Sequence, residues 1–282
     1  MRLSIITINL NNRAGLEQTL KSLFEQTRRD FESIVIDGLS SDGSPDVIAC
    51  YASRINKCVS EKDAGIFNAM NKGVRLAKGE YVFFLNSGDY LHSADTLDKI
   101  FKYEFSEDFV VFDTELAKSE GHEIRRVERN PKEILILGEV CHQAVFHHRR
   151  VFQRLGLYDE SFKLAADYEL LLRALFRAGC SHQIIHEVLS VYDCVYGLSS
   201  DPVNASLLHD ERRAAQKRVF DPEIVDALDA QYRQIESLSR IKVLYDGLLA
   251  SNTVKAALWA SAVLRRMKRL IRLKPPGPAP RS

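Results

Sequence analysis

Short apolar runs alternate with helical patterns over the first 85 residues of the chain. The apolar runs are rich in β-branched and aromatic residues, and they predict strands at 3–9, 31–37, 55–60 and 81–85. The segments between them predict helices at 15–26, 45–52 and 66–77. Strands that alternate with helices are typical of βαβ units, in which helices cover both faces of a mainly parallel sheet. The pattern therefore predicts an α/β fold with a doubly wound sheet.

The second half of the chain is less regular. Its expected elements are a hairpin at 108–129 that turns near Glu120 and Gly121, a strand at 141–148, a helix at 166–178 and two helices within 202–251. A Pro-rich end follows at 275–282. We therefore expect an α/β domain at 1–200, a C-terminal helical region at 201–252, and a tail at 253–282.

Composition and cysteine spacing narrow the class of protein. A chain of 282 residues that is 45% hydrophobic and 27% charged is typical of a globular protein. The five cysteines are odd in number and include no CxxC pair, so neither a disulfide framework nor a thiolate zinc site is expected. The N-terminal apolar run is too short for a signal peptide, and no apolar stretch approaches the roughly 18 residues of a spanning helix. These features predict a cytoplasmic protein.

The charge is divided unevenly along the chain. Eight of the 39 lysines and arginines lie beyond residue 252, where there is no acidic residue, which leaves 31 basic against 38 acidic residues before it, or −7. An acidic body argues against a broad nucleic-acid footprint. The basic charge of the tail therefore needs its own explanation.

The tail has the pattern of an amphipathic helix. At 100° per residue its apolar side chains fall on one arc, namely Trp259, Val263, Leu264, Met267, Leu270 and Ile271. The basic residues fall on the other arc, which is typical of a helix that lies on an anionic membrane. The same helix could instead pack on the acidic body or on a partner subunit, so a homo-oligomer is an open alternative. The membrane interpretation predicts peripheral attachment to the inner face of the plasma membrane.

Polar residues follow the predicted strands. In α/β sheets, ligands bind beyond the carboxyl ends of the strands. Asp37 ends one strand and opens a small polar loop, where it could contact a nucleoside or simply cap a turn. Asp89 follows another strand, where it could hold Mg²⁺ or Mn²⁺ against a diphosphate or cap a following helix. Each residue taken alone leaves both alternatives open.

Asp167 opens the helix predicted at 166–178. Carboxylates are favoured near helix N-termini by capping and by the helix dipole, which is a purely structural explanation. A carboxylate that faces a cleft could instead take the proton of an acceptor hydroxyl. The sequence alone leaves this choice open as well.

Several segments in order along residues 1–200 carry a resemblance to a known family. They are 7–9, 37–44, 63–73, 86–89, 141–143 and 156–167. Together these segments resemble the family 2 inverting glycosyltransferases, in particular bacterial members that build colanic acid, capsule and other surface polysaccharides. The resemblance implies a GT-A fold, a nucleotide-diphosphate sugar as donor, and a glycan or lipid-linked acceptor.

The resemblance also implies a role for individual residues. Asp167 matches the catalytic base, and Asp89 matches the last acid of the metal motif that holds Mn²⁺ or Mg²⁺. The positions that match nucleotide-sugar ligands are Thr7, Asn9, Asp37, Asp63, Asn68, Lys72, Asn86 and Ser87. His142 and Gln143 are expected on the acceptor side, and Gly197-Leu198-Ser199 resembles an element that closes the donor site. His147 and His148 are expected at the surface.

Two departures from the family pattern weaken these expectations. Asn86, Ser87 and Gly88 precede the single Asp89 where many relatives carry an acidic cluster, so the second metal ligand is open. Met70 stands where many relatives have an arginine, so the positive charge toward the diphosphate would come from Lys72 or Arg75. The sequence predicts an inverting sugar transfer, with a non-catalytic nucleotide-sugar-binding module and a sugar nucleotidyltransferase as alternatives.

Overall fold

The fold is taken from a computed structural model that describes residues 2–127, 141–195, 197–198, 201–230, 233–234 and 237. The chain folds as two compact units, Met1–Val225 and Asp226–Ser282. The strands and helices that are given labels below belong to the first unit. The predicted division of the chain at residues 200 and 252 stays a prediction.

The first half of the chain forms the predicted βαβ units. Its strands are β1 (Leu3–Asn9), β2 (Glu32–Asp37), β3 (Lys57–Ser60), β4 (Tyr81–Phe84) and the short β5 (Tyr90–Leu91). Its helices are α1 (Arg13–Phe24), α2 (Ser44–Tyr51), α3 (Ile66–Leu76) and α4 (Thr96–Ile100). Every residue of β1 and β2 is buried, as expected for parallel strands covered on both faces. The predicted alternation is therefore confirmed.

The second half of the chain begins with the predicted hairpin, formed by β6 and β7. The strands of this half are β6 (Phe109–Lys118), β7 (Gly121–Arg125), β8 (Val145–His148) and β9 (His182–Asp193). Its helices are α5 (Arg149–Leu155), α6 (Ala166–Leu172) and α7 (Ala205–Lys217). Residues 222–230 are helical as well, so both predicted C-terminal helices are present, and residues 238–251 lie outside the described part of the chain.

The nine strands of the described residues belong to one sheet, in the order β3-β2-β1-β4-β8-β6-β9-β5, with β7 paired to β6. The pairs β3-β2, β2-β1 and β1-β4 are parallel, whereas β8 is antiparallel to both of its neighbours. The sheet is thus parallel in its N-terminal half and mixed beyond β4. The carboxyl ends of β1, β2 and β4 consequently lie at one edge of the sheet.

Helix α3 approaches the sheet closely at Gly73. A Cβ at this position would lie 2.4 Å from Cγ2 of the buried Ile6, so only a glycine lets the helix backbone rest on β1. Phe67, Met70 and Val74 of the same helix are buried in the core beneath the sheet. Met70 therefore has a packing role, at the position where the resemblance implied an arginine.

Two predicted elements have different bounds in the structure. Residues His142–Ala144 form a 3₁₀ turn, so the strand predicted at 141–148 begins only at Val145. The helix predicted at 166–178 is α-helical only as far as Leu172 and continues as a π-helical turn at Arg173–Arg177. Arg173 donates hydrogen bonds to Glu169 and to the Leu155 carbonyl at this change of pitch.

The prediction that His147 lies at the surface is wrong. Its exposed fraction is 1%, because β8 is paired on both sides and is covered on both faces. The imidazole lies among the rings of Phe84, Phe109 and Phe152, and this burial lowers the pKa of His147 to about 4. His148 is half-buried rather than exposed.

Within the described residues, no helix has both the length and the apolar character required to cross a membrane. The amphipathic tail at 253–282 lies outside those residues, so its helical structure stays a prediction.

Candidate active site

The ends of β1 and β2 are joined by buried hydrogen bonds. Asn9 and Asp37 face each other in register, and Asn9 Nδ2 donates to Asp37 Oδ1 over 2.9 Å. The other oxygen of Asp37 accepts from the Ser40 N–H at 3.0 Å and from the Ser60 hydroxyl at 2.8 Å. Burial alone would raise the pKa of Asp37, but the hydrogen bonds from Ser40 and Asn9 outweigh it and lower the pKa. Asp37 thus shapes the loop that follows it.

Two buried oxygens beside this network have no hydrogen-bond partner among the described residues. They are Thr7 Oγ1 and Asn9 Oδ1, both on β1. Buried polar atoms are nearly always paired, so an unpaired one calls for an explanation. A ligand or an ordered water at the end of β1 would satisfy both atoms, which agrees with the nucleoside-binding roles predicted for Thr7 and Asn9.

Gly38 follows β2 and lies beneath the side chains of Asp63 and Leu10. A Cβ built on Gly38 would lie 3.0 Å from Asp63 Oδ2 and 3.1 Å from Leu10 Cδ1, so these two side chains converge over its backbone. Leu10 and the neighbouring Leu39 are 62% and 64% exposed. Leu39 also has a left-handed backbone with φ of 63°, which is uncommon for leucine. These four residues, which we call the Gly38 surface, combine an acid with two exposed apolar side chains, the kinds of group that can contact a nucleoside.

Lys72 forms ion pairs with two acids beside the Gly38 surface. Its Nζ lies 2.7 Å from Asp63 Oδ1 and 2.8 Å from Glu61 Oε1. Burial lowers the pKa of Lys72, but the hydrogen bonds to Asp63 and Glu61 outweigh burial and raise it. The ammonium is therefore charged and placed next to the predicted nucleoside ligand Asp63.

Asn68 contacts a carboxylate of the loop that follows α5. Its Nδ2 donates to Glu160 Oε2 at 2.9 Å, and Asn71 Nδ2 donates to the other oxygen of Glu160 at 2.8 Å. These bonds fix α3 to the loop that leads towards Asp167. The nucleotide-binding role of Asn68 stays a prediction.

The segment 86–89 is a tight turn fastened to α1. Thr19 Oγ1 donates to the Asp89 carbonyl at 2.7 Å and accepts from the Gly88 N–H at 3.0 Å. The Ser87 carbonyl accepts from Asn12 Nδ2 at 3.0 Å. Strand β5 follows the turn directly, so the alternative in which Asp89 caps a helix is wrong.

Asp89 is buried beneath this turn, with an exposed fraction of 5%. Burial raises its pKa to about 7, although the Asp193 N–H donates to its Oδ1 at 3.1 Å and Gln143 also bonds to the carboxyl. Gln143 therefore faces the predicted metal ligand. No signal in the sequence pointed to Asp193 as a partner, because it lies 104 residues further along the chain.

His142 connects the strand-end turn to the predicted base. Its Nε2 lies 3.2 Å from Asn86 Nδ2, and its Nδ1 lies 3.0 Å from Asp167 Oδ2. A carboxylate can only accept, so His142 Nδ1 carries the hydrogen that Asp167 accepts, in the neutral ring as in the charged one. Three residues from separate segments thus form one chain of hydrogen bonds.

This contact keeps Asp167 ionised. Burial raises the pKa of Asp167, but the hydrogen bond and the charge of His142 outweigh burial and lower it. The effects on His142 have the opposite signs. Burial lowers its pKa, and the contact with Asp167 raises it. The arrangement is an oriented carboxylate at the start of α6, able to accept a proton.

The family model described as Glycosyl transferase family 2 matches residues 4–163. The chain belongs to glycosyltransferase family 2. It is 30% identical over 216 residues to a PGL/p-HBAD biosynthesis glycosyltransferase of Mycobacterium bovis, in an alignment that covers 73% of this chain and 82% of that protein. The predicted family is therefore confirmed.

Two solved structures share the fold of this family 2 glycosyltransferase. S. aureus TarS in complex with UDP-GlcNAc gives a TM-score of 0.64 at 17% identity, over 82% of this chain and 71% of that chain; a longer TarS chain is covered to 43%. A mannosyltransferase from Pyrobaculum calidifontis in complex with GDP-Man and Mn²⁺ gives a TM-score of 0.61 at 19% identity, over 93% of this chain and 80% of that chain. Both likenesses confirm the GT-A fold.

Membership of the family decides the class of activity. The chain is a glycosyltransferase, an enzyme that transfers a sugar. The alternatives of a non-catalytic module and of a nucleotidyltransferase are replaced by this assignment. The individual roles of the site residues remain predictions, which the geometry now makes specific.

The geometry also tests whether the glycosyltransferase could hold a divalent cation. Asn86 Oδ1 is buried and has no hydrogen-bond partner among the described residues, and the Asp89 carboxyl is buried three positions later. Both are hard oxygen donors of the kind that Mg²⁺ and Mn²⁺ prefer. In the described part of the chain, no group of three His, Cys, Asp or Glu side chains could hold a metal. The residues thus fit a cation that takes most of its ligands from phosphates and water.

Leu10 and Leu39 of the Gly38 surface were not among the site residues expected from the sequence. The available signal was a leucine inside a small polar turn. Ser199, the last residue of the element expected to close the donor site, lies outside the described residues.

Proposed function

We propose that this glycosyltransferase moves a sugar from a nucleoside diphosphate donor to an acceptor hydroxyl with inversion at the anomeric carbon. The observation that carries the proposal is the hydrogen bond between His142 and Asp167, which orients an ionised carboxylate. A single displacement needs a base of this kind, and Asp167 is hydrogen-bonded to His142, which contacts Asn86 beyond β4, at the edge of the sheet where α/β proteins bind ligands.

The proposed reaction is one step. Asp167 accepts the proton of the acceptor hydroxyl while that oxygen bonds to the anomeric carbon. The bond from the anomeric carbon to the diphosphate breaks on the opposite face, and its electron pair leaves with the nucleoside diphosphate. Positioning of the two substrates supplies much of the remaining rate enhancement.

The donor is proposed to lie with its nucleoside against the Gly38 surface and its diphosphate near Asp89. The orphaned oxygens of Thr7 and Asn9 support the first placement. The buried oxygens of Asn86 and Asp89 would hold Mn²⁺ or Mg²⁺, which offsets charge on the diphosphate. The TarS and mannosyltransferase complexes, with UDP-GlcNAc and with GDP-Man and Mn²⁺, support this class of donor.

Thermal shifts test the donor and the metal together. We expect one of UDP, GDP, TDP and CMP to raise the melting temperature more when Mn²⁺ is present, because a ligand of the folded state stabilises it by mass action. Asp89→Asn should abolish the Mn²⁺-dependent part of the shift, whereas the exposed Asp46→Asn should keep it. Failure of every nucleotide to shift the wild type would contradict the donor assignment. A shift that persists in Asp89→Asn would remove the metal role of Asp89.

We propose that the acceptor is a lipid-linked glycan and that the enzyme works at the inner face of the plasma membrane. The name of the Mycobacterium relative refers to biosynthesis of PGL and p-HBAD. The basic amphipathic pattern of 253–272 supports attachment to anionic lipid.

Vesicle binding tests the attachment. The full chain should sediment with vesicles that contain phosphatidylglycerol and much less with neutral vesicles, since each basic residue near an anionic surface contributes about 1 kcal/mol. Replacement of Arg265, Arg266 and Arg269 by Glu should release it, whereas the same change at Arg28, Arg29 and Arg54 of the body should not. Equal binding by both variants would contradict the role of the tail.

A further inference from the structure

The segment in front of Asp167 exposes three consecutive backbone donors. The N–H groups of Lys163, Leu164 and Ala165 converge on the carboxylate of Glu211. The Lys163 N–H lies 2.7 Å from Oε1, and the Leu164 and Ala165 N–H groups lie 2.8 and 3.0 Å from Oε2. Successive backbone N–H groups of this kind form a concavity that binds anions. Here the anion is a side chain of the same chain.

Glu211 lies on α7, 46 to 48 residues beyond its three partners. The same helix contacts the residue that follows Asp167, because Gln216 Nε2 donates to the Tyr168 hydroxyl at 2.9 Å. The Arg212 guanidinium lies 5.7 Å from the centre of the Tyr168 ring. Helix α7 therefore fastens the chain on both sides of Asp167.

The position of these contacts bears on the direction of the Asp167 side chain. Ala165 is two residues before Asp167, and its carbonyl accepts the Glu169 N–H at 2.9 Å in the first turn of α6. The N-cap residue Ala165 makes no side-chain capping bond. Charge-assisted hydrogen bonds are roughly twice as strong as neutral ones, so the three bonds to Glu211 dominate the local backbone geometry.

We propose that Glu211 is a positioning residue for sugar transfer, which fixes the backbone of 163–165 so that Asp167 meets His142 and the acceptor hydroxyl. The proposal rests on the proposed function of Asp167. Glu211 lies outside residues 4–163, which the family model matches, so α7 adds to the site a contact from beyond the matched domain.

The test uses the full chain with Glu211→Gln, Glu211→Ala and, as a control, the exposed neighbour Asp210→Asn. Glutamine has the size of glutamate, but its N–H₂ group cannot accept a hydrogen bond, so at least one of the three contacts is lost, whereas alanine loses all three. A misplacement of about 1 Å can cost about 100-fold in rate, and we expect kcat to fall at least about tenfold in both Glu211 variants. The donor KM and the melting temperature with bound nucleotide should stay near those of Asp210→Asn.

Two measurements independent of activity accompany the kinetics. The amides of 163–165 should exchange hydrogen faster in the Glu211 variants, and the imidazole Nδ1–H resonance of His142 should shift as its contact with Asp167 changes. A fall in kcat with both changes supports the proposal. Unchanged kcat, an unchanged His142 resonance, or a kcat loss that matches a loss of folded protein would overturn it.

The proposed function can fail separately. If the wild type transfers no sugar to any acceptor, the proposed function is contradicted, and the His142 resonance then decides the positioning role alone. A shifted resonance in Glu211→Gln supports the role and an unshifted one overturns it.

Discussion

Replacement of Asp167 by Asn is expected to lower kcat by about 10²–10⁴-fold, the usual contribution of a general base. The amide keeps the shape of the carboxylate and an oxygen that can accept from His142 Nδ1, now 3.0 Å from Asp167 Oδ2. It cannot take a proton from the acceptor hydroxyl. The loss should therefore appear in turnover and not in folding.

The measurement is sugar transfer at saturating donor, together with nucleotide affinity from titration calorimetry. Nucleotide affinity should change less than about twofold, because Asp167 is not part of the Gly38 surface. A loss of kcat without a loss of nucleotide affinity marks an interaction made only in the transition state. The exposed Asp210→Asn serves as the control for loss of a surface acid. Turnover close to that of the wild type would remove Asp167 from the role of base.

Much of the fold could be predicted because the parallel half of the sheet is encoded locally. Strands β1, β2 and β4 are mainly apolar and end in or just before polar residues, and parallel pairing brings those ends together. The same logic placed Asn9, Asp37 and Asp89 at one edge. The strand ends could thus be read from the chain one at a time.

The character of β8 could not be predicted in the same way. It is an antiparallel insertion between β4 and β6, and neither neighbour is adjacent to it in the sequence. Two consecutive histidines at the end of an apolar run suggested that both side chains lie at the protein surface. In fact burial from both faces encloses His147, while His142 lies in a 3₁₀ turn outside the strand.

Side-chain partners were also beyond the sequence. The sequence did not indicate that Lys72 contacts Asp63 and Glu61, or that Asn68 contacts Glu160, whereas the donor-binding roles of Lys72 and Asn68 stay predictions. The contact of Glu211 with the segment before Asp167 joins elements more than 40 residues apart. Such contacts follow from how helices pack on the finished sheet, and no local pattern encodes them.

The role of His142 can be separated into its two hydrogen bonds. His142→Ala removes both and is expected to lower kcat by about 10²-fold, because Asp167 loses the donor that orients it and keeps it ionised. His142→Asn places an amide nitrogen near the former Nδ1 and can still donate to Asp167. His142→Gln reaches instead toward the former Nε2, where it can contact Asn86 but not Asp167.

The expected order of kcat is wild type, then His142→Asn, then His142→Gln together with His142→Ala. This order is expected if the contact of His142 with Asp167 is the one that matters for catalysis. If His142 acts through Asn86 instead, His142→Gln should have a higher kcat than His142→Asn. The variants should bind nucleotide alike, measured by calorimetry beside steady-state kinetics.

A double variant decides whether His142 acts through Asp167 or independently of it. If His142 only orients and charges the base, its removal costs nothing further once the base is gone, so His142→Ala with Asp167→Asn should be as slow as Asp167→Asn alone. Residues that act as a unit show this lack of additivity in kinetic cycles. A double variant slower than Asp167→Asn by the full cost of His142→Ala would show that His142 contacts a substrate itself. The hydrogen-bonded chain from Asn86 to Asp167 would then be two separate functions that share one imidazole.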